Sequence, residues 1–155
     1  MIRTLIARLG RDCRGAAAVE LALIAPMVSV LVFSAIDLGS AYAQKLDLEQ
    51  AAGRAAELAT APGTVSGTYA NLRQEVIAAY GRTYRAANVD NWLECNGVRA
   101  SSWTAICPAG QQISRYVSVA ISAEYVPHFG YGGLLHGGGE NGGFITTGDA
   151  VVRIQ

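Results

Sequence analysis

Sixteen consecutive uncharged residues, 21–36, follow a basic head in this 155-residue chain. They read Leu-Ala-Leu-Ile-Ala-Pro-Met-Val-Ser-Val-Leu-Val-Phe-Ser-Ala-Ile. As a helix they would span about 24 Å at about 1.5 Å per residue. A bilayer core is about 30 Å thick, so this stretch alone falls slightly short of crossing it. Counting from Ala16 reaches a sufficient length but places Glu20 at or inside the membrane boundary. A carboxylate there is costly unless it is paired, which makes Glu20 a functional candidate; the alternative is that it snorkels to the headgroups.

Formal net charge is zero, and that balance hides an asymmetry. Residues 1–15 hold Arg3, Arg8, Arg11 and Arg14 against Asp12, a net of +3, so the remainder carries −3. A basic head before an apolar run is a topology signal rather than a nucleic-acid patch. The positive-inside rule puts residues 1–15 in the cytoplasm and everything after Asp37 outside, in a single pass. Three processing outcomes stay open. One is an ordinary signal peptide ending at Ala41-Tyr42-Ala43, before Gln44. The second is an uncleaved anchor, and the third is cleavage on the cytoplasmic side, after Gly15.

The run from Arg14 to Pro26, Arg-Gly-Ala-Ala-Ala-Val-Glu-Leu-Ala-Leu-Ile-Ala-Pro, resembles the start of the TadE-like family of tight-adherence (Tad) pilus proteins. Members begin with a Gly, four small or apolar residues, a Glu and an apolar helix containing Pro. The continuation Ile36-Asp37-Leu38-Gly39-Ser40-Ala41-Tyr42 is similar to the family's exit from the membrane. The Ala-rich stretch from Leu48 to Ala56 is similar too. Leu21 departs from the pattern, where Phe or Tyr is more usual.

The resemblance implies a minor pilin or pseudopilin that takes part in assembly, priming or the tip of a Tad pilus, with adhesion and biofilm as its setting. It implies a bacterial inner-membrane protein with its C-terminal domain in the periplasm. The implied partners are the membrane, a prepilin peptidase, other pilin subunits and the Tad machinery, with no nucleic acid. The peptidase would cut between Gly15 and Ala16, making Glu20 the fifth residue of the mature chain. Glu20 would then pair with the N-terminal amine of a neighbouring subunit, since a buried carboxylate needs a cation. Pro26 removes one helical hydrogen bond, so a kink is expected there, although membrane helices tolerate Pro in any case.

Residues 38–60 are good helix formers, and Ala61-Pro62-Gly63 supplies a stop. A single helix over 16–61 is therefore expected to extend past the bilayer. Its small residues Ala51, Ala52, Ala55, Ala56 and Ala59 suit close packing, either on the chain's own domain or on another subunit. A small-residue loop over 64–68 leads to a second helix from about Tyr69 to Ala87. Tyr69, Leu72, Val76, Tyr80 and Tyr84 recur on one face of it. Residues 88–112 read as loop-rich, with short strand candidates near Trp92 and Trp103. Val117, Val119, Ile121, Ala123 and Tyr125 then alternate with mostly polar residues, as in a half-buried strand ended by Pro127. A last strand is expected over 144–154. The fold class is α+β: a long N-terminal transmembrane helix, a second helix and a short antiparallel sheet. The chain divides as a basic leader (1–15), a membrane and pilin-like helix (16–61) and an exported domain (62–155).

Cys13 lies in the head, while Cys95 and Cys107 enclose eleven residues of a polar segment. That spacing lacks the paired pattern of a zinc site. In an exported domain a Cys95–Cys107 disulfide is the natural reading, worth about 3 kcal/mol in the chain-entropy view. His128, His136 and Glu140 fall in the loop 128–143, which has eight glycines in sixteen positions and offers poorly fixed metal ligands. No P-loop, Gly-x-Ser-x-Gly or His-Glu-x-x-His pattern occurs. No cofactor is expected, and a structural role is expected over an enzymatic one. The alternative is a membrane-anchored or secreted binding protein without a filament role.

Overall fold

The computed structural model describes residues 14–61, 69–129 and 137–154. The basic leader up to Cys13, the loop 64–68, His136 and the middle of the glycine-rich loop lie outside the described residues. The chain divides into two compact units, Met1–Gly39 and Ser40–Gln155. One helix, α1 (Arg14–Leu58), runs across that division and contains Pro26. In the first unit α1 is the described structure. Ser29 and Ser34 each donate their hydroxyl to the carbonyl four residues back, Ala25 and Val30, at 2.7 Å. Such back-bonding lets an apolar helix carry hydroxyls at little cost.

The second unit joins residues 40–58 of α1 to a second helix, α2 (Ala70–Tyr80), and four strands: β1 (Ala86–Cys95), β2 (Val98–Arg99), β3 (Ile113–Tyr125) and β4 (Phe144–Arg153). The strands form one antiparallel sheet in the order β2-β1-β3-β4. The α+β class and the long strand β3 are as the sequence predicts. Val117, Val119, Ile121, Ala123 and Tyr125 are all buried, and the intervening residues are half-buried.

On α1, Leu48, Ala51, Ala52, Ala55 and Ala56, with Ala59 just past its end, are buried in the same core as the odd-numbered face of β3. The alanine stripe thus packs within this domain, and short side chains let the helix lie close to the sheet. The closest approach is at Gly148 of β4, where a Cβ would run into the backbone of Leu48 and Glu49. Beside it, Gln44 Nε2 donates to Thr146 Oγ1 at 3.2 Å.

Two expectations are corrected here. The second helix does not reach Ala87. Gly81 adopts the left-handed conformation at φ 65°, and its N–H donates to the Ile77 carbonyl at 3.0 Å, which caps α2 at Tyr80. Tyr69, Leu72, Val76 and Tyr80 are buried as one face, whereas Tyr84 lies beyond the cap and is exposed. The segment 88–112 is also more ordered than a loop. Most of it up to Cys95 belongs to β1, which pairs with β3 from Ala86↔Ser122 to Cys95↔Ile113. Asn96 and Gly97, both at positive φ, turn β1 into β2. This is the geometry in which Asn-Gly closes a two-residue hairpin, with Cys95 opposite Val98. Trp103 is in a turn and not in a strand; it packs against the core, edge-on to Tyr69 with ring centroids 5.7 Å apart. Cys95 and Cys107 form a disulfide with their Cα atoms 5.5 Å apart.

Candidate functional site: the apolar N-terminal helix

Surfaces that meet water on one side and a core on the other show one apolar face. The first unit's part of α1 does not. Met27, Val28, Val30, Leu31, Val32 and Phe33 take up more than a full turn between them and are all exposed, Met27 by 72 %. Leu21, Leu23 and Ile24 continue the pattern one to two turns earlier. A helix apolar on every side, with mean hydropathy 2.3 over its best window, is long and apolar enough to cross a membrane. The described part that meets this criterion starts at Ala17 and has none of its apolar window buried.

The candidate processing residues sit at the start of this helix. Gly15 is the second residue of α1, is exposed, and has open space where a Cβ would stand. Ala16 follows it in helical conformation. Glu20 is exposed one turn further on, and the i, i+4 spacing puts it on the same helical face as Ala16. Pro26 lies within the continuous helix and leaves the Ala22 carbonyl without its usual donor. Asp37, the acid that closes the uncharged run, is 6 % exposed.

Residues 15–57 match the TadE-like protein family. The match begins at Gly15 and ends one residue before the end of α1, so it lies wholly within that helix. Over this helix the chain is similar to TadE-like proteins; the match does not extend to the rest of the chain. No curated protein and no solved structure is matched by the chain. The sheet and α2 therefore have to be read from their own geometry.

In that domain the two described candidates, His128 and Glu140, each have another neighbour. His128 lies edge-on to Tyr125 at 6.2 Å between ring centroids, and Glu140 approaches Arg85 at 4.0 Å. Among the described residues no group of three or more His, Cys, Asp or Glu could hold a metal ion. A shallow depression of about 400 Å³ includes Gln44, Asp47, Arg82 and His128, but the Asp47 carboxylate already accepts an ion pair from Arg82 at 3.0 Å.

Sequence reasoning missed a carboxylate that organises the second half of the glycine-rich loop. Glu124, near the end of β3, accepts the N–H groups of Asn141 and Gly143, both at 2.9 Å, and the Asn141 side-chain amide at 3.2 Å. A Cβ at Gly139 would run into this carboxylate, so a larger residue there would have to displace the Glu124 side chain. Desolvation raises the Glu124 pKa, but the amide donors of Asn141, Gly143 and Glu140 together outweigh it and hold the carboxyl below its ordinary value. A carboxyl lowered on folding favours the folded loop above the unfolded pKa. That contribution is lost as pH falls through the folded one. The Asn141 and Gly143 amide resonances are accordingly expected to titrate together, with a midpoint below that of an ordinary glutamate. In Glu124→Gln they should show no such titration. A midpoint at or above the ordinary value would contradict the cradle.

Proposed function

We propose that this chain is a minor pilin or pseudopilin of a Tad-type pilus, acting in assembly, priming or the tip. It is inserted in the inner membrane with residues 1–15 as a cytoplasmic leader and the domain from residue 62 onward in the periplasm. The observation that carries this reading is the order of features at one helix end. Gly15, Ala16 and Glu20 lie within a single TadE-like match, in the first turns of α1 and immediately before its stretch that is apolar on all sides. A prepilin peptidase cuts after Gly15, and the new Ala16 amine and the Glu20 carboxylate of neighbouring subunits pair inside the apolar filament. A loosened turn at Pro26 lets the helix adjust as it leaves the bilayer. The exported domain contributes contacts to other pilins and to the assembly machinery, and no catalytic step is assigned to it.

Processing after Ala43 fits the domain less well. That bond lies in mid-helix, and cutting it would free the helix end at Gln44, whose side chain holds Thr146. The test is the N-terminal residue of the protein recovered from membranes of cells with and without the prepilin peptidase. The expected mature start is Ala16, and only when the peptidase is present. A start at Gln44 would replace this reading with a secreted binding domain. An intact Met1 in peptidase-positive cells would replace it with an anchored partner protein.

A further inference from the structure

The sheet ends differently on its two sides. On one side the outermost strand is β2, only two residues long and followed by the segment that the Cys95–Cys107 disulfide closes. On the other side the outermost strand among the described residues is β4, ten residues in unbroken register with β3 from Tyr116↔Arg153 to Tyr125↔Phe144. Long regular edges usually carry Pro, charged side chains or a bulge that prevents further pairing. β4, Phe-Ile-Thr-Thr-Gly-Asp-Ala-Val-Val-Arg, has no Pro and an unbroken register with β3, and its two charges, Asp149 and Arg153, are opposite in sign.

The direction of its main-chain groups can be assigned. Ile154 N–H donates to the Arg115 carbonyl at 2.9 Å, so even-numbered positions of β4 bond toward β3. Ile145, Thr147, Asp149, Val151 and Arg153 therefore turn their N–H and C=O groups to the outer edge. All five are exposed, Val151 by 57 %.

An antiparallel partner must set its own outward-facing residues opposite these. A two-fold pairing of β4 with itself is thus centred on a single residue rather than between two. Centring on Asp149 or on Arg153 would put like charges opposite each other. Centring on Val151 sets Asp149 opposite Arg153 of the other strand, twice, around a Val–Val pair. The same register sets Ala150 opposite Val152 on the core-facing side. The strand is complementary to itself in main-chain direction, charge and apolarity in this one register.

We propose that β4 pairs antiparallel with β4 of a second copy of this chain, about a two-fold axis at Val151, joining two four-stranded sheets into one. The two Val151 residues exchange both main-chain hydrogen bonds, and the Asp149–Arg153 pairs fix the register. This inference does not depend on the pilin-like reading, since it uses only the domain's own sheet.

The test uses the full chain in detergent in a Cys13→Ser background. Opposed residues of a hydrogen-bonded pair have Cα atoms about 5.5 Å apart, within reach of a disulfide. Under mild oxidation Val151→Cys is expected to give a species of doubled mass. Thr147→Cys, roughly 27 Å from its own mate in this register, should give several-fold less. In the Val151→Cys protein, adding Asp149→Arg should weaken the dimer roughly tenfold, and adding Arg153→Asp as well should restore it. Equal cross-linking at both positions, none at Val151→Cys, or a failure of the charge swap to restore the dimer would overturn the proposal. So would a product joined to a chain of different mass when the oxidation is repeated in native membranes.

Discussion

Replacing Gly148 by valine should destabilise the domain by at least about 3 kcal/mol, and alanine alone should produce most of that loss. In an ordinary half-exposed strand the same change would be favourable. β-branched residues suit the pleat, and glycine loses the most backbone freedom on folding. Here the sign reverses because of what lies opposite. The Gly148 position faces the α1 backbone at Leu48 and Glu49, and a Cβ would overlap main-chain atoms that cannot rotate away. To relieve the overlap, α1 would have to lift from the sheet. That would open the contacts of Leu48, Ala51, Ala52 and Ala55, all at most 2 % exposed. A thermal or denaturant melt of the full chain in detergent, followed in the aromatic region, reads this directly. A Gly148→Ala protein as stable as the parent would mean that the helix does not rest on β4.

The Gly148 contact also shows where sequence reasoning reaches its limit. A glycine inside a strand pattern signals close backbone approach, but the pattern cannot name the approaching element. β3 was legible because five apolar residues alternate without interruption and their burial follows that alternation. β1 was legible only as a short strand near Trp92, because only Ala87 and Leu93 are fully buried in its ten residues. It is held in place by its neighbour in the sheet more than by its own pattern. The overrun of α2 to Ala87 came from Tyr84, which fits the helical spacing by coincidence, while the stop signal at Gly81 was local and available. Asn96-Gly97 was likewise a readable hairpin signal. The Glu124 cradle joins residues 17 and 19 positions apart, and no local pattern announces such a contact. By contrast, the N-terminal helix was legible almost entirely. A membrane demands apolarity on every side, and that demand is written in consecutive residues.

On the pilin-like reading proposed above, Glu20→Ala should separate insertion from assembly. An ionised carboxylate within a membrane helix costs a few kcal/mol on insertion scales, so its removal makes the lone subunit more comfortable in the bilayer. Protein level in the membrane fraction is expected to stay the same or rise, and the mature terminus should still be Ala16. Incorporation into pili should nevertheless fall to background. The Ala16 amine of the neighbouring subunit would be carried into an apolar interior without its counter-charge, and an unpartnered buried ion costs about 3–5 kcal/mol. That is enough to shift an assembly equilibrium by roughly two to three and a half orders of magnitude. Glu20→Gln keeps the shape and hydrogen-bonding capacity but not the charge. It is expected to behave like alanine in the pilus fraction, which separates an ionic requirement from a steric one. The readout is the amount of this subunit in sheared pili set against its amount in membranes. Reduced membrane levels with normal incorporation of the remainder would assign Glu20 to insertion, and full incorporation of both variants would leave the carboxylate with no role in assembly.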